Sequence, residues 1–176
     1  MSIERSKRRV AAARMVAMTR DLLNAAPLCA IATVARGGGA YVNTAYFAWS
    51  PEFDLVWLSD PQARHSGNVR ANGSVAIAVY DSNQSWGRPD RGIQLFGTAR
   101  EAEGEAARIS EALYEKRFQD YGQIDFSLYM FYRFRPRRLK LFDEQELGTG
   151  IFVTAKVGGG GRLTWERTDV YRSTSK

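Results

Sequence analysis

The chain has 176 residues, 44% of them hydrophobic and 25% charged, which suits a packed globular core and excludes a disordered or fibrous chain. Its formal net charge of +6 permits an anionic partner, but the excess sits in two local runs, Arg5 to Arg14 and Arg133 to Lys140. Neither run belongs to a helix-turn-helix or RNA-binding signature, so nucleic acid is not the expected partner, and one cysteine and one histidine cannot build a disulfide framework or a His/Cys metal cage.

Residues 3–25 are rich in Ala, Arg, Met and Leu. Met15, Thr19 and Leu22 fall on one helical face, and Val10, Arg14 and Met18 on another, so an amphipathic helix is predicted, ended by Pro27. The period then changes to two. Strands are predicted over 29–34 and 40–49, joined through Arg36 and a triple-glycine turn, and a third over 55–59. A polar turn with a short helical segment follows, then strands over 75–80 and 93–99 separated by a loop holding Trp86.

Residues 101–121 return to helical composition, with strands over 129–134, 138–142 and 151–157 beyond them. Gly158 begins a glycine run, read as a flexible tail over 158–176 with a short strand near 163–166. The expected fold is therefore mainly β (α+β): an antiparallel sheet of six to eight strands curled into a barrel, with an N-terminal helix and one inserted helix, as a single domain over 1–157. No stretch approaches the roughly 18 apolar residues of a membrane span, so the expectation is a cytoplasmic protein without a membrane partner. Cys29 reads as a small core residue in a reducing compartment.

No nucleophile elbow, Walker loop or dinucleotide fingerprint occurs, so side-chain-only hydrolysis is not expected, and a bound cofactor would carry any reaction. The place to hold one is 59–68. Ser59, Asp60, Arg64, His65, Ser66 and Asn68 cluster there, and with the backbone N–H groups of a helix start they could converge on a phosphate. The plainer reading has Asp60 and Pro61 merely turning the chain, Arg64 solvated and His65 bonded to a carbonyl.

The order "LCAIATV", a glycine turn, "YVNTAYFAW", an acidic turn, "LVWLSD", "RHSGNVRANGSVAIAVYD" and "GIQLFGTARE" resembles the pyridoxamine 5'-phosphate oxidase-like superfamily of FMN-binding split β-barrels. The later "YRFRPRRLKLFDE" resembles the strand pair that follows the inserted helix in that superfamily. The resemblance implies FMN, a homodimer with the cofactor at the subunit interface, and oxidoreductase chemistry on a small molecule. It places Ser59 and Arg64 on the FMN phosphate, with His65 where relatives commonly carry lysine, so that phosphate affinity should depend on pH. Asn43, Thr44 and Gln94 become candidates for the flavin ring; Asn43 and Thr44 also read as a cross-strand polar pair on a solvated face. Trp86 would cover the ring or anchor the dimer, and the aromatics of 129–134 would serve the interface or the core.

The terminal "GGGGRLTWERTDVYRSTSK" does not match the arginine-containing signature of true pyridoxamine-phosphate oxidases, so that reaction is not implied. The alternatives are a deazaflavin in place of FMN, whose acidic tail would suit the basic surface, and a non-catalytic flavin- or haem-binding module.

Overall fold

The computed structural model describes residues 2–81 and 83–172. Nine strands and four α-helices follow one another as β1 (Ser2–Ser6), α1 (Ala12–Ala25), β2 (Leu28–Val34), β3 (Ala40–Trp49), β4 (Leu55–Ser59), α2 (Arg64–Ala71), β5 (Ser74–Tyr80), β6 (Arg91–Glu101), α3 (Glu105–Arg117), β7 (Met130–Asp143), α4 (Glu144–Leu147), β8 (Ile151–Val157) and β9 (Leu163–Arg172). The strands form one sheet in the order β1-β9-β8-β7-β4-β3-β2-β5-β6, and β7 also pairs with β6. That extra pairing closes the circuit β7-β4-β3-β2-β5-β6 into a six-stranded barrel, the mainly β fold that the alternation of the sequence predicts.

By its internal contacts the chain divides into two compact units. One comprises Pro27–Ile77 and Phe96–Pro136; the other comprises Met1–Ala26, Ala78–Leu95 and Arg137–Lys176. We call the first the site unit, because residues 59–68 lie in it.

In the site unit β2 and β3 pair antiparallel from Leu28↔Tyr46 to Val34↔Ala40, so the tight turn at 35–39 sets their register. Cys29, Ile31 and Thr33 point inward and are buried, whereas Leu28, Val42 and Tyr46 are exposed on the opposite face. Trp57 of β4 stacks on Tyr132 of β7, ring centroids 5.5 Å apart, and both are fully buried. Burial pushes the Cys29 thiol up to about 12, which fits a core residue and not a nucleophile. Helix α3 covers a small cluster of Ala48, Val56, Ala102, Tyr114 and Phe131. Asp54, itself buried, is held by the Arg133 guanidinium, whose Nε donates to it at 2.8 Å.

The other unit packs α1 on β9. Met15, Met18, Thr19, Leu22 and Leu23 form its buried stripe at helical spacing. Asp143 caps α4 by accepting from the Glu146 amide.

Three sequence expectations need correction. The N-terminal helix begins at Ala12 and not near residue 3, because Ser2–Ser6 is a strand paired with β9 from Ser2↔Arg172 to Ser6↔Thr168. The expected strands at 129–134 and 138–142 are one continuous strand, β7. Pro136 lies within it, between the residues paired to β4 and those paired to β8. Where glycine composition predicts a tail from Gly158, Leu163–Arg172 is a strand paired on both sides, to β8 and β1; residues 173–176 lie outside the described residues. The aromatics at Phe131, Tyr132 and Phe134 are core, not exposed interface, while Tyr129 is exposed.

Gly97 of β6 lies where β6 meets β7: a Cβ there would sit 2.1 Å from the Arg135 carbonyl oxygen. Gly97→Ala should therefore destabilise the protein by about 1–3 kcal/mol, the scale of an overpacked core. A denaturant midpoint unchanged from wild type would show that the two strands can part without cost.

Candidate functional site

The site begins where β4 ends. Asp60 reverses the chain: its carboxylate accepts from the Gln62 amide at 2.7 Å, and its carbonyl accepts from the Ala63 amide at 3.1 Å and from the Ser66 hydroxyl at 2.7 Å. Helix α2 then starts at Arg64 with no acidic side chain in its first turn. An N-terminal turn of this kind offers backbone N–H groups and the positive end of the helix dipole to an anion.

The expected residues fall into three groups. Ser59 and His65 are brought together, Oγ and Nε2 hydrogen-bonded at 2.7 Å. Burial pushes His65 below its ordinary value of 6.5, opposed by the weaker attraction of Asp60, so the imidazole is neutral at neutral pH. Arg64 is exposed, its guanidinium 4.9 Å from the centre of the Tyr41 ring. Asp60 and Ser66 have polar atoms engaged in the turn itself. Asn68, also buried, donates from Nδ2 to Thr33 Oγ1 at 3.0 Å and ties α2 to β2.

Asn43 and Thr44 lie on opposite faces of β3, as neighbours on a strand must, so they form no pair on a single face. Thr44 is exposed, while the Asn43 side-chain oxygen is buried without a hydrogen-bond partner. Gln94 is exposed on β6, in the other unit from residues 59–68. Trp86 is fully exposed in the loop after β5, also in that unit.

The sequence reading missed a cleft of about 660 Å³ on the flank of α2, lined by Arg36, Gly37, Arg64, Gly67, Asn68 and Arg70 among others. Arg64, Gly67, Asn68 and Ala71 line it from one helical face, a spacing that was available in the sequence once a helix was drawn there. The approach of Arg36 from the 35–39 turn was not, since it depends on strand pairing. Arg70 is bonded to Glu101 at 2.6 Å and donates to the Pro61 carbonyl at 2.8 Å. Glu101 also accepts from the Tyr132 hydroxyl at 3.1 Å. Among the described residues no group of His, Cys, Asp and Glu is placed to hold a metal ion, and no helix is long and apolar enough to cross a membrane.

Residues 15–142 match the sequence profile of the family described as pyridoxamine 5'-phosphate oxidase. Among curated proteins no sequence relative matches. A haem-binding protein from Mycobacterium smegmatis superposes with a TM-score of 0.63 at 19% identity, over 90% of this chain and 59% of that one, so the chain spans less than two thirds of that protein. A protein from Clostridium acetobutylicum related to general stress protein 26, of the pyridoxinephosphate oxidase family, gives 0.60 at 14% identity, over 82% and 95%. A protein named as an F420 reductase gives 0.52 at 23%, over 68% and 94%. Identities this low show a common fold and nothing finer.

The lowered His65 value sets a pH dependence. The folded state favours the neutral imidazole, so its contribution to stability is full above about pH 6.5 and is lost as the pH falls through the lower folded value. Denaturant titrations at about pH 7.5 and about pH 5 should show a smaller loss for His65→Gln than for wild type. An NMR titration of this sole imidazole should give a midpoint below 6.5, and a midpoint above it would contradict the burial argument.

Proposed function

Because the chain belongs to the pyridoxamine 5'-phosphate oxidase family, we propose that it binds FMN by its phosphate and acts as a flavin-dependent oxidoreductase on a small molecule. The observation that carries this reading is the start of α2. There Ser59 and His65 are hydrogen-bonded to one another, Arg64 is the first helical residue, and no carboxylate stands in the first turn, which supports a phosphate held by these groups and the first-turn amides. The donor set fits a phosphate: a permanent cation for charge, a hydroxyl and an imidazole for direction. Bound FMN would supply hydride or electron transfer, and the protein supplies position and electrostatics. Asn43, with its unpartnered buried oxygen, is the strongest ring-contact candidate in the site unit; Thr44, Gln94 and Trp86 would contribute only from other surfaces.

The same reading includes a homodimer. Leu28 stands directly across from Tyr46, and Ala32 across from Val42, giving the outward face of β2 and β3 an exposed apolar strip beside the site unit's barrel wall. Burying such a strip against a second copy is the usual use of an apolar patch. Tyr46→Glu should then turn a dimer into a monomer on size-exclusion chromatography with light scattering; a variant that stays dimeric would move the interface elsewhere.

A deazaflavin is the second reading, favoured by the arginine-lined cleft beside Arg64, which suits a more acidic ligand than FMN. Haem binding fits the residues less well, because the sole histidine already uses Nε2 in its bond to Ser59. Absorbance of the purified protein separates the flavins, two visible bands marking oxidised FMN and one strong band a deazaflavin. Arg64→Ala should weaken FMN binding by about 1.5–3 kcal/mol, the worth of a charged hydrogen bond. Fluorescence titration measures it, and unchanged affinity would remove Arg64 from the site.

A further inference from the structure

All of the chain's excess positive charge belongs to one of its two compact units. Residues 1–26, 78–95 and 137–176 hold 16 of the 25 Lys and Arg and 9 of the 19 Asp and Glu, whereas the site unit holds 9 against 10. Strand pairing lays part of that excess on one sheet face. Leu139 and Leu141 of β7 stand across from Ala155 and Val153 of β8, and all four are buried on the inward face. Alternation puts Arg138 and Lys140 of β7, with Phe152, Thr154 and Lys156 of β8, on the opposite face. There Arg138 is directly across from Lys156, and Lys140 and Arg167 flank Thr154 from β7 and β9. Arg5 of β1 joins this face across from Asp169, which itself pairs with Phe152.

An outward antiparallel face that meets only water is polar, with both signs of charge interspersed. This one departs from that pattern twice. Like charges directly opposite destabilise a sheet, yet Arg138 faces Lys156. Glu166 answers Arg138 with two hydrogen bonds, at 2.7 and 3.0 Å, and Asp169 answers Arg167 at 2.9 Å. Among the described residues Arg5, Lys140 and Lys156 have no ion-pair partner. Aromatic rings also stand where alternation calls for polar side chains: Phe152 and Tyr171 meet edge to face, centroids 4.7 Å apart, and each is only partly buried. Lys140 Nζ lies 4.4 Å from the centre of the Phe152 ring and 5.5 Å from that of Tyr171, so cation and rings are within reach of a single nucleotide. Thr154 Oγ1, between Lys140 and Arg167, is buried without a hydrogen-bond partner.

We propose that this face is a platform for single-stranded nucleic acid. Arg5, Lys140 and Lys156 contact phosphates while Phe152 and Tyr171 stack on bases, the combination that holds a single strand without reading its sequence. A lipid surface would require apolar side chains that insert, and among the described residues Ile3 is the exposed aliphatic side chain of this face. No signature of the platform stands in the sequence, because strands far apart in the chain assemble it. It shares no residue with the proposed FMN site.

Fluorescence anisotropy of a labelled oligothymidylate about 16 nucleotides long tests this, with its duplex and phosphatidylserine vesicles as separate arms. The single strand should bind most tightly, and the logarithm of its affinity should fall linearly with that of the salt concentration. Lys156→Gln should weaken binding several-fold at low salt and flatten that slope by about 0.7, the share of one phosphate contact on a single strand. Its denaturation midpoint should hold or rise, because the substitution removes a like-charged pair. Phe152→Leu, which keeps an apolar side chain, should weaken binding about tenfold with the slope unchanged, the mark of a lost base stack. Lys116→Gln, an equal change of charge at an exposed position of the site unit, should bind as wild type does. Absence of oligonucleotide binding, a duplex bound as tightly as the single strand, binding to the vesicles alone, or equal losses in Lys116→Gln and Lys156→Gln each overturn the proposal.

Discussion

A single backbone carbonyl, that of Asp60, accepts both the Ala63 amide and the Ser66 hydroxyl, and the geometry of the whole candidate site follows from it. The carbonyl lies where β4 ends, so the reversal it enforces delivers Ser59 from the strand and His65 from the helix to one another. Asn68, one turn further along α2, is fastened to Thr33 on β2, which stops the helix from rotating about its axis. The rotation is what decides which residues line the cleft. With α2 pinned at both its start and its middle, Arg64 and Gly67 share the cleft flank while Val69 turns into the core.

These ties are short and largely shielded from water, which makes them worth more than their number suggests. A buried hydroxyl or amide left without a partner costs about 1–3 kcal/mol, so Ser66 and Asn68 cannot abandon the Asp60 carbonyl and Thr33 without penalty. Polar side chains that stabilise the turn are not thereby binding groups. The residues best able to answer a ligand are Arg64, whose guanidinium rests on the Tyr41 face, and Arg36 on the 35–39 turn.

Much of the architecture was legible from alternation alone. Residues 28–34 and 40–49 alternate inward and outward as written, and the glycine turn between them fixed their pairing, so the barrel wall needed no long-range information. The errors at the two ends of the chain share one cause. Ser2–Ser6 has no strong strand signature and becomes a strand only because β9 offers it an edge, and β9 itself was hidden behind a glycine run that reads as a tail. Partners far apart in sequence leave no periodic trace. The site was half legible for the same reason: the turn chemistry of 59–68 is local and could be read, whereas the meeting of Arg36 with the flank of α2 is a consequence of how β2, β3 and the helix pack.

The one histidine shows why type alone does not settle role. In a solvent-exposed turn it would be a conditional cation near neutral pH, and a phosphate beside it would draw on that charge. Here burial lowers its proton affinity and Ser59 occupies Nε2, so at neutral pH it enters the site as a neutral hydrogen-bonding group. The positive charge must then come from arginine, which cannot be deprotonated under these conditions. An arriving dianion would stabilise the protonated imidazole and draw a proton onto His65, so binding and proton uptake would be linked through this half-buried pair. That linkage would give a histidine at this position a property that lysine lacks: a grip on an anion that tightens as protons become available and relaxes as they are withdrawn.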